Sequence, residues 1–263
     1  MARDLSHQLT TIVQTYGVAP PALHVLEELP EPVFYFLTHG RQAEECWQAL
    51  RSQVNVIGYW PVILGNDDDF ERVINHLSEP YTRNMALATI LADAATIDAE
   101  EWLQAALRMQ DSEDGPGDTT KEEFAPRGPW PEDIPPVTTV SVPYHWQTRQ
   151  PYPQVAIGLV PTTISWQVPA YLRFGDYNAC PNPAEHASVI RRWQERYGAE
   201  VIGMTHDTIE LRVVHPPTNR DSAIALAYEQ FAYCSDIVAQ GVGTLDALAA
   251  TLLNGSVWFF WWD

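Results

Sequence analysis

Residues 182–214 read NPAEHASVIRRWQERYGAEVIGMTHDTIELRVV, and the fold class rests on how this stretch is parsed. Asn182 is a good helix N-cap, Pro183 suits the first helical position, Glu185 completes a capping box, and Gly198 follows the end. The spacing predicts a helix over 183–197 with His186, Val189, Ile190, Trp193 and Tyr197 on one side, leaving Arg191, Arg192 and Glu195 largely on others. Val201–Thr205 and Thr208–Val214 then read as two strands joined by a turn at His206-Asp207.

Working outward toward the C-terminus, Pro216-Pro217 ends the second strand, and a long helix is expected from about Asn219 to Ala239. Ile224, Ala227, Phe231, Cys234 and Val238 fall at spacings of three and four and should face the core. The last residues, Ser256 to Asp263, are apolar at successive positions, as in a strand covered on both faces. Their aromatic rings are read as core rather than as a stacking platform for sugars or bases.

Upstream, strand-like runs at Val137–Val142 and Gln154–Val160 are separated by Pro-rich segments that suit edge strands and turns, with irregular structure over 143–153. From Asp111 to Pro136 the composition shifts to Asp, Glu, Gly and Pro, which reads as a linker or surface excursion between an N-terminal part (1–110) and a C-terminal domain (137–263). The N-terminal part reads strand (Val33–Thr38), helix (Arg41–Gln53), strand (Val56–Leu64), and then helices as far as Gln110. Asp67, Asp68 and Asp69 open the first of these, with Asp68 and Glu71 spaced as a capping box; capping at the positive end of the helix explains them better than a cation site. Trp47 precedes Val56-Ile57-Gly58 much as Trp193 precedes Val201-Ile202-Gly203, an echo read as a common helix-to-strand passage and not as duplication. The whole is expected to be α+β, with a helix-rich N-terminal part and a C-terminal mixed or antiparallel sheet packed by two main helices.

The 263 residues are 46% hydrophobic and 19% charged, which is globular composition. The formal charge is −19, and it is uneven: residues 1–136 carry 23 acidic and 8 basic side chains, residues 137–263 carry 11 and 7. So negative a surface repels phosphate backbones, which disfavours nucleic acid as a partner; the same field would speed encounter with a basic protein, although acidity is also, and more simply, an ordinary route to solubility. No apolar h-region opens the chain and no apolar run approaches the ~20 residues of a membrane span. Three cysteines, Cys46, Cys180 and Cys234, with no CxxC pair, fit neither a disulfide framework nor a zinc ribbon, and a cytoplasmic location is expected.

Four residues could converge to carry chemistry: Cys180, His186, Cys234 and Asp236. A thiolate near a helix N-terminus, with His186 as base and Asp236 orienting it, would make a cysteine-nucleophile hydrolase or transferase centred on Cys180 and His186. The same four could ligate zinc, although the spacing matches no zinc pattern. The simpler account is that the cysteines are small buried hydrophobes and His186 is a hydrogen-bonded packing residue. No GxGxxG, Walker, GxSxG or HExxH motif occurs. His206-Asp207 is read as turn chemistry, and Arg191, Arg192 and Arg196 as a solvated helix face rather than an anion site.

Gly175-Asp176-Tyr177-Asn178-Ala179-Cys180-Pro181, Glu185-His186, Trp193, Tyr197-Gly198-Ala199-Glu200, Pro216-Pro217, Tyr233-Cys234-Ser235-Asp236 and the terminal Trp258-Phe259-Phe260-Trp261-Trp262-Asp263 together resemble the bacterial domain-of-unknown-function family 4253, over about 165–263. Trp60-Pro61-Val62 looks like a segment that often accompanies it upstream. The resemblance implies a bacterial intracellular protein and names no reaction or cofactor. With the charge, the aromatic content and the missing catalytic templates, it points to a protein-interaction role, such as an immunity-type antagonist of a basic protein, with the Cys180 and His186 enzyme as the alternative.

Overall fold

The strand Trp60–Gly65 is buried at every position, and the architecture is assembled around it. In this computed structural model, which describes residues 2–14, 22–110 and 126–263, the order is α1 (Ala2–Gln14), β1 (His24–Val25), β2 (Phe34–Thr38), α2 (Gly40–Ser52), α3 (Val54–Ile57), β3 (Trp60–Gly65), α4 (Asp67–Ser78), α5 (Pro80–Arg83), α6 (Leu87–Thr96) and α7 (Ala99–Gln110). It continues through β4 (Val155–Val160), α8 (Val168–Tyr171), α9 (Pro183–Tyr197), β5 (Ala199–Met204), β6 (Thr208–Val213), α10 (Arg220–Tyr233), a π-helical turn (Ile237–Val242), α11 (Leu245–Leu252) and β7 (Val257–Trp261). The strands form one seven-stranded mixed sheet, ordered β1-β2-β4-β3-β5-β6-β7. β4 runs antiparallel to β2 and β3, and β3 runs parallel to β5. The fold is α+β, in agreement with the sequence pattern.

The chain gathers into two compact units, neither continuous in sequence: residues 1–91, 140–174 and 201–210 in the first, and 92–139, 175–200 and 211–263 in the second. In the first unit β4 is a central strand, buried at every position, and not the edge strand that its Pro-rich flanks suggested. The prolines lie outside its ladder, so they remove none of its hydrogen bonds. Gly158 lies opposite Val62, and a Cβ there would come within 2.9 Å of Leu64 Cδ1. The expected strand over 56–64 begins only at Trp60, because residues 54–57 form a helical turn closed by Gly58 at φ +76. Trp47 Nε1 donates to Pro61 O and Trp60 Nε1 to Val201 O, each at 2.9 Å, so both indoles are satisfied by sheet carbonyls. The box opening α4 is Asn66 with Asp69, and not the expected Asp68 with Glu71. Asn66 Oδ1 accepts from Asp68 N and Asp69 N, which leaves Asp67 and Asp68 as exposed carboxylates at the positive helix end.

Two buried ionisable side chains also organise the first unit. Arg173, at φ 49 and 1% exposed, donates to Tyr171 O at 2.6 Å, pairs with Glu31 at 2.9 Å and reaches Met85 O at 3.3 Å. Glu210 accepts from Ser141 N, Ser141 Oγ and Val142 N. The run 137–142 is therefore not the strand expected of it; the amides of Ser141 and Val142 face a buried carboxylate instead of a neighbouring strand.

In the second unit α9 has the predicted bounds and cap, and Gly198 takes the left-handed conformation at φ 61. The long helix expected to Ala239 ends at Tyr233; Cys234 is extended and its Sγ donates to Trp261 O at 3.0 Å. Of the expected connection, residues 111–125 lie outside the described residues. Residues 126–128 are pinned to α11, with Arg127 bidentate on Asp246 at 2.6 and 2.8 Å and Gly128 N donating to the same carboxylate. The core is aromatic: Trp193 stacks on Phe260 (centroids 5.3 Å apart) and meets Tyr233 and Trp258 edge-on. The terminal strand is covered on one face by these contacts, while Phe259 on the other face stays 41% exposed, so it is not enclosed on both sides as expected. The echo of Trp47 and Trp193 is no deeper than a shared passage, since Trp193 Nε1 donates to Glu229 and not to a strand carbonyl.

Candidate functional site

Cys180 and His186 meet because a tight loop delivers one to the first turn of the helix carrying the other. Gly175 (φ +105), Asp176 (φ 65) and Asn178 (φ 47) turn the chain back, with Asp176 N donating to Pro181 O and Cys180 N to Tyr177 O. Only glycine fits at 175: a Cβ would fall 2.8 Å from His186 Nε2. Asn182 and Glu185 cap each other's backbone amides, and Glu185 Oε1 also accepts from Trp102 Nε1 at 2.8 Å, which joins the cap to α7. The loop, cap and helix start form one unit.

Within it Cys180 Sγ lies 3.3 Å from His186 Nε2, and His186 Nδ1 lies 2.5 Å from Tyr233 Oη. The result is a relay of thiol, imidazole and phenol, walled by Trp262, whose ring meets His186 edge-on at 5.2 Å. Burial pushes His186 down to about 3, against a smaller opposing pull from the Pro181 carbonyl, so the imidazole is neutral at pH 7. Burial also raises Tyr233 well above the usual phenol range, so it stays protonated. A neutral imidazole between a thiol and a phenol can accept a proton from one side while donating to the other. The ring carries no charge for an anion to read.

The other two candidates go elsewhere. Cys234 is committed to Trp261 O, and burial raises its thiol to about 12. Asp236 accepts from Asp263 N at 3.1 Å and from Gln240 Nε2 at 3.3 Å, so the group that contacts His186 is Tyr233 and not this carboxylate. Sequence reasoning misses Tyr233, although it stands next to Cys234 in the segment Tyr233-Cys234-Ser235-Asp236; its phenol becomes a partner only when α10 is placed against α9. Among the described residues, no group of three or more His, Cys, Asp and Glu side chains is placed to hold a metal ion. Arg192 and Arg196 are not an open basic face either, because both pair with Glu229, and Arg192 pairs with Glu100 as well.

With the loop, its helix and the aromatic strand defined, the C-terminal part can be placed in a family. Residues 156–263 match the family described as Domain of unknown function (DUF4253). The DUF4253 part runs from β4 to the last residue and so contains Cys180, His186, Tyr233, Cys234 and Asp236. No curated protein and no solved structure matches the chain. Among the described residues, no helix is long and apolar enough to cross a membrane.

Proposed function

We propose that this protein is an interaction module that captures a basic protein partner, in the manner of an immunity-type antagonist, through its exposed carboxylates. The observation that carries this reading is how the charges are arranged. The chain bears −19, and several of its few cations are consumed internally: Arg127 by Asp246, Arg173 by Glu31, Arg192 and Arg196 by Glu229. Asp67, Asp68 and Glu71 on α4 stay exposed, as do Asp98, Glu100 and Glu101 at the start of α7. Fields of this kind accelerate encounter with a positively charged surface and oppose nucleic acid. The test is co-purification from an extract of the native host at two salt concentrations, for the wild type and for D67N/D68N/E71Q. A stoichiometric basic protein, lost at high salt and weakened by the variant, supports the reading; a partner indifferent to both overturns it.

A second reading, a cysteine nucleophile, is favoured by the 3.3 Å approach of Cys180 to His186. Against it, Cys180 is 6% exposed and His186 is fully enclosed. Iodoacetamide labelling of native protein separates the two: rapid modification of Cys180 favours the nucleophile, and inertness until unfolding favours a structural relay.

A further inference from the structure

The second unit contains a cavity of about 190 Å³ between the π-helical turn, α11 and β7. Ile237, Val242, Leu248, Leu252, Phe259 and Trp261 supply apolar side chains to its lining. Val242 and Phe259 are 37% and 41% exposed and so mark its mouth. Gln230 and Trp258, each 1% exposed, also line it. Gln230 Nε2 and Trp258 Nε1 are both buried, and neither has a hydrogen-bond partner among the described residues. A buried donor left unpaired costs about 1–3 kcal/mol, and folded proteins keep few of them. Both donors belong to residues that line this one apolar cavity, and the described chain supplies no acceptor for either.

We infer that this cavity binds a small uncharged apolar molecule that carries a carbonyl acceptor. The apolar wall supplies the burial, and the Gln230 amide turns about a soft terminal torsion to present its N–H to the carbonyl. The Asp236 carboxylate, on the same lining, selects against an anion. The wall itself is a π-helical turn closed by Gly243 at φ +82, the kind of helix irregularity that often accompanies binding sites. The site is independent of the acidic surface above, and neither proposal needs the other.

The experiment titrates the full chain with acetanilide and methyl benzoate, which carry carbonyls, and with toluene and benzoate as controls, following the indole N–H resonances of Trp258 and Trp261. Saturable shifts with the two carbonyl probes, tighter than toluene and absent with benzoate, are expected. Gln230→Leu should weaken the carbonyl probes about fivefold, the worth of one hydrogen bond, and leave toluene unchanged. No saturable shift with either carbonyl probe overturns the inference, as does toluene binding equally well in the wild type. The probe comparison within the wild type does not depend on how well the variant folds.

Discussion

The two units treat buried polarity in opposite ways. In the first, two buried ionisable side chains are met largely by the main chain: Arg173 spends its donors on the carbonyls of Tyr171 and Met85 and on Glu31, and Glu210 is met by the amides of Ser141 and Val142. In the second, beside the buried Asp246 carboxyl held by Arg127 and the Gly128 amide, a chain of neutral side chains joins Cys180 to His186 to Tyr233 inside an aromatic shell. Main-chain groups are fixed by the fold, so an ion held by them locks a loop in place and has little freedom to act. Side chains held by side chains depend on distant segments arriving together, and here burial keeps both His186 and Tyr233 uncharged at pH 7.

The sharpest way to break this comparison is to remove the aromatic shell. Deleting residues 258–263 takes away Trp258, Phe260 and Trp262, all nearly fully buried, and should abolish cooperative unfolding by circular dichroism. A well-folded truncated protein would show that the second unit does not depend on its terminal strand.

Next in size is Arg173→Ala, which strands Glu31 and several carbonyls. It should cost about 3–5 kcal/mol in denaturant unfolding, the range for breaking a buried ion pair. A loss below about 1 kcal/mol would mean that the main-chain saturation of Arg173 carries little energy.

His186 gives a pH signature that sets the neutral relay apart from the ions. Its folded value is about 3 and its reference value 6.5, so the unfolded chain binds the extra proton first. Its contribution is complete above 6.5 and is lost as the pH falls toward 3. Between about pH 7.5 and pH 5 this removes about 2 kcal/mol, and His186→Asn should flatten that part of the slope. An unchanged slope in the variant would place the acid sensitivity elsewhere.

The smallest effect is expected at Asp246, whose carboxyl is held low chiefly by its hydrogen bonds from Arg127. Asp246→Asn weakens a half-exposed bidentate pair and should cost about 1–2 kcal/mol at neutral pH. The wild type should lose the same increment on acidification through the range below 3.8, where Asp246 becomes protonated.

Much of the second unit is legible in the sequence. There Asn182, Pro183, Glu185 and Gly198 mark the bounds of α9, as His206-Asp207 marks the hairpin in the first unit, because a cap or a turn is satisfied by atoms a few residues away. The break after Tyr233 is not legible, since what accompanies it is a contact between Cys234 and Trp261, 27 residues apart. The helical periodicity simply continues through it. The site divides in the same way: Cys180 and His186 are six residues apart and their pairing can be read from the chain, while Tyr233, 47 residues from His186, is hidden behind the nearby and more conventional Asp236.

What the sequence alone determined, then, is the α+β class, the cap and bounds of α9, the hairpin, the acidic composition and the likeness of the C-terminal part to DUF4253. Tertiary structure alone decided that β4 is central, that Arg173 and Glu210 are buried against main-chain groups, and that Gln230 and Trp258 line a cavity without partners among the described residues. The physical reason is range. Backbone capping and side-chain periodicity act within a turn or two, whereas the burial of a charge or the loss of a hydrogen-bond partner depends on which distant segments arrive to exclude water.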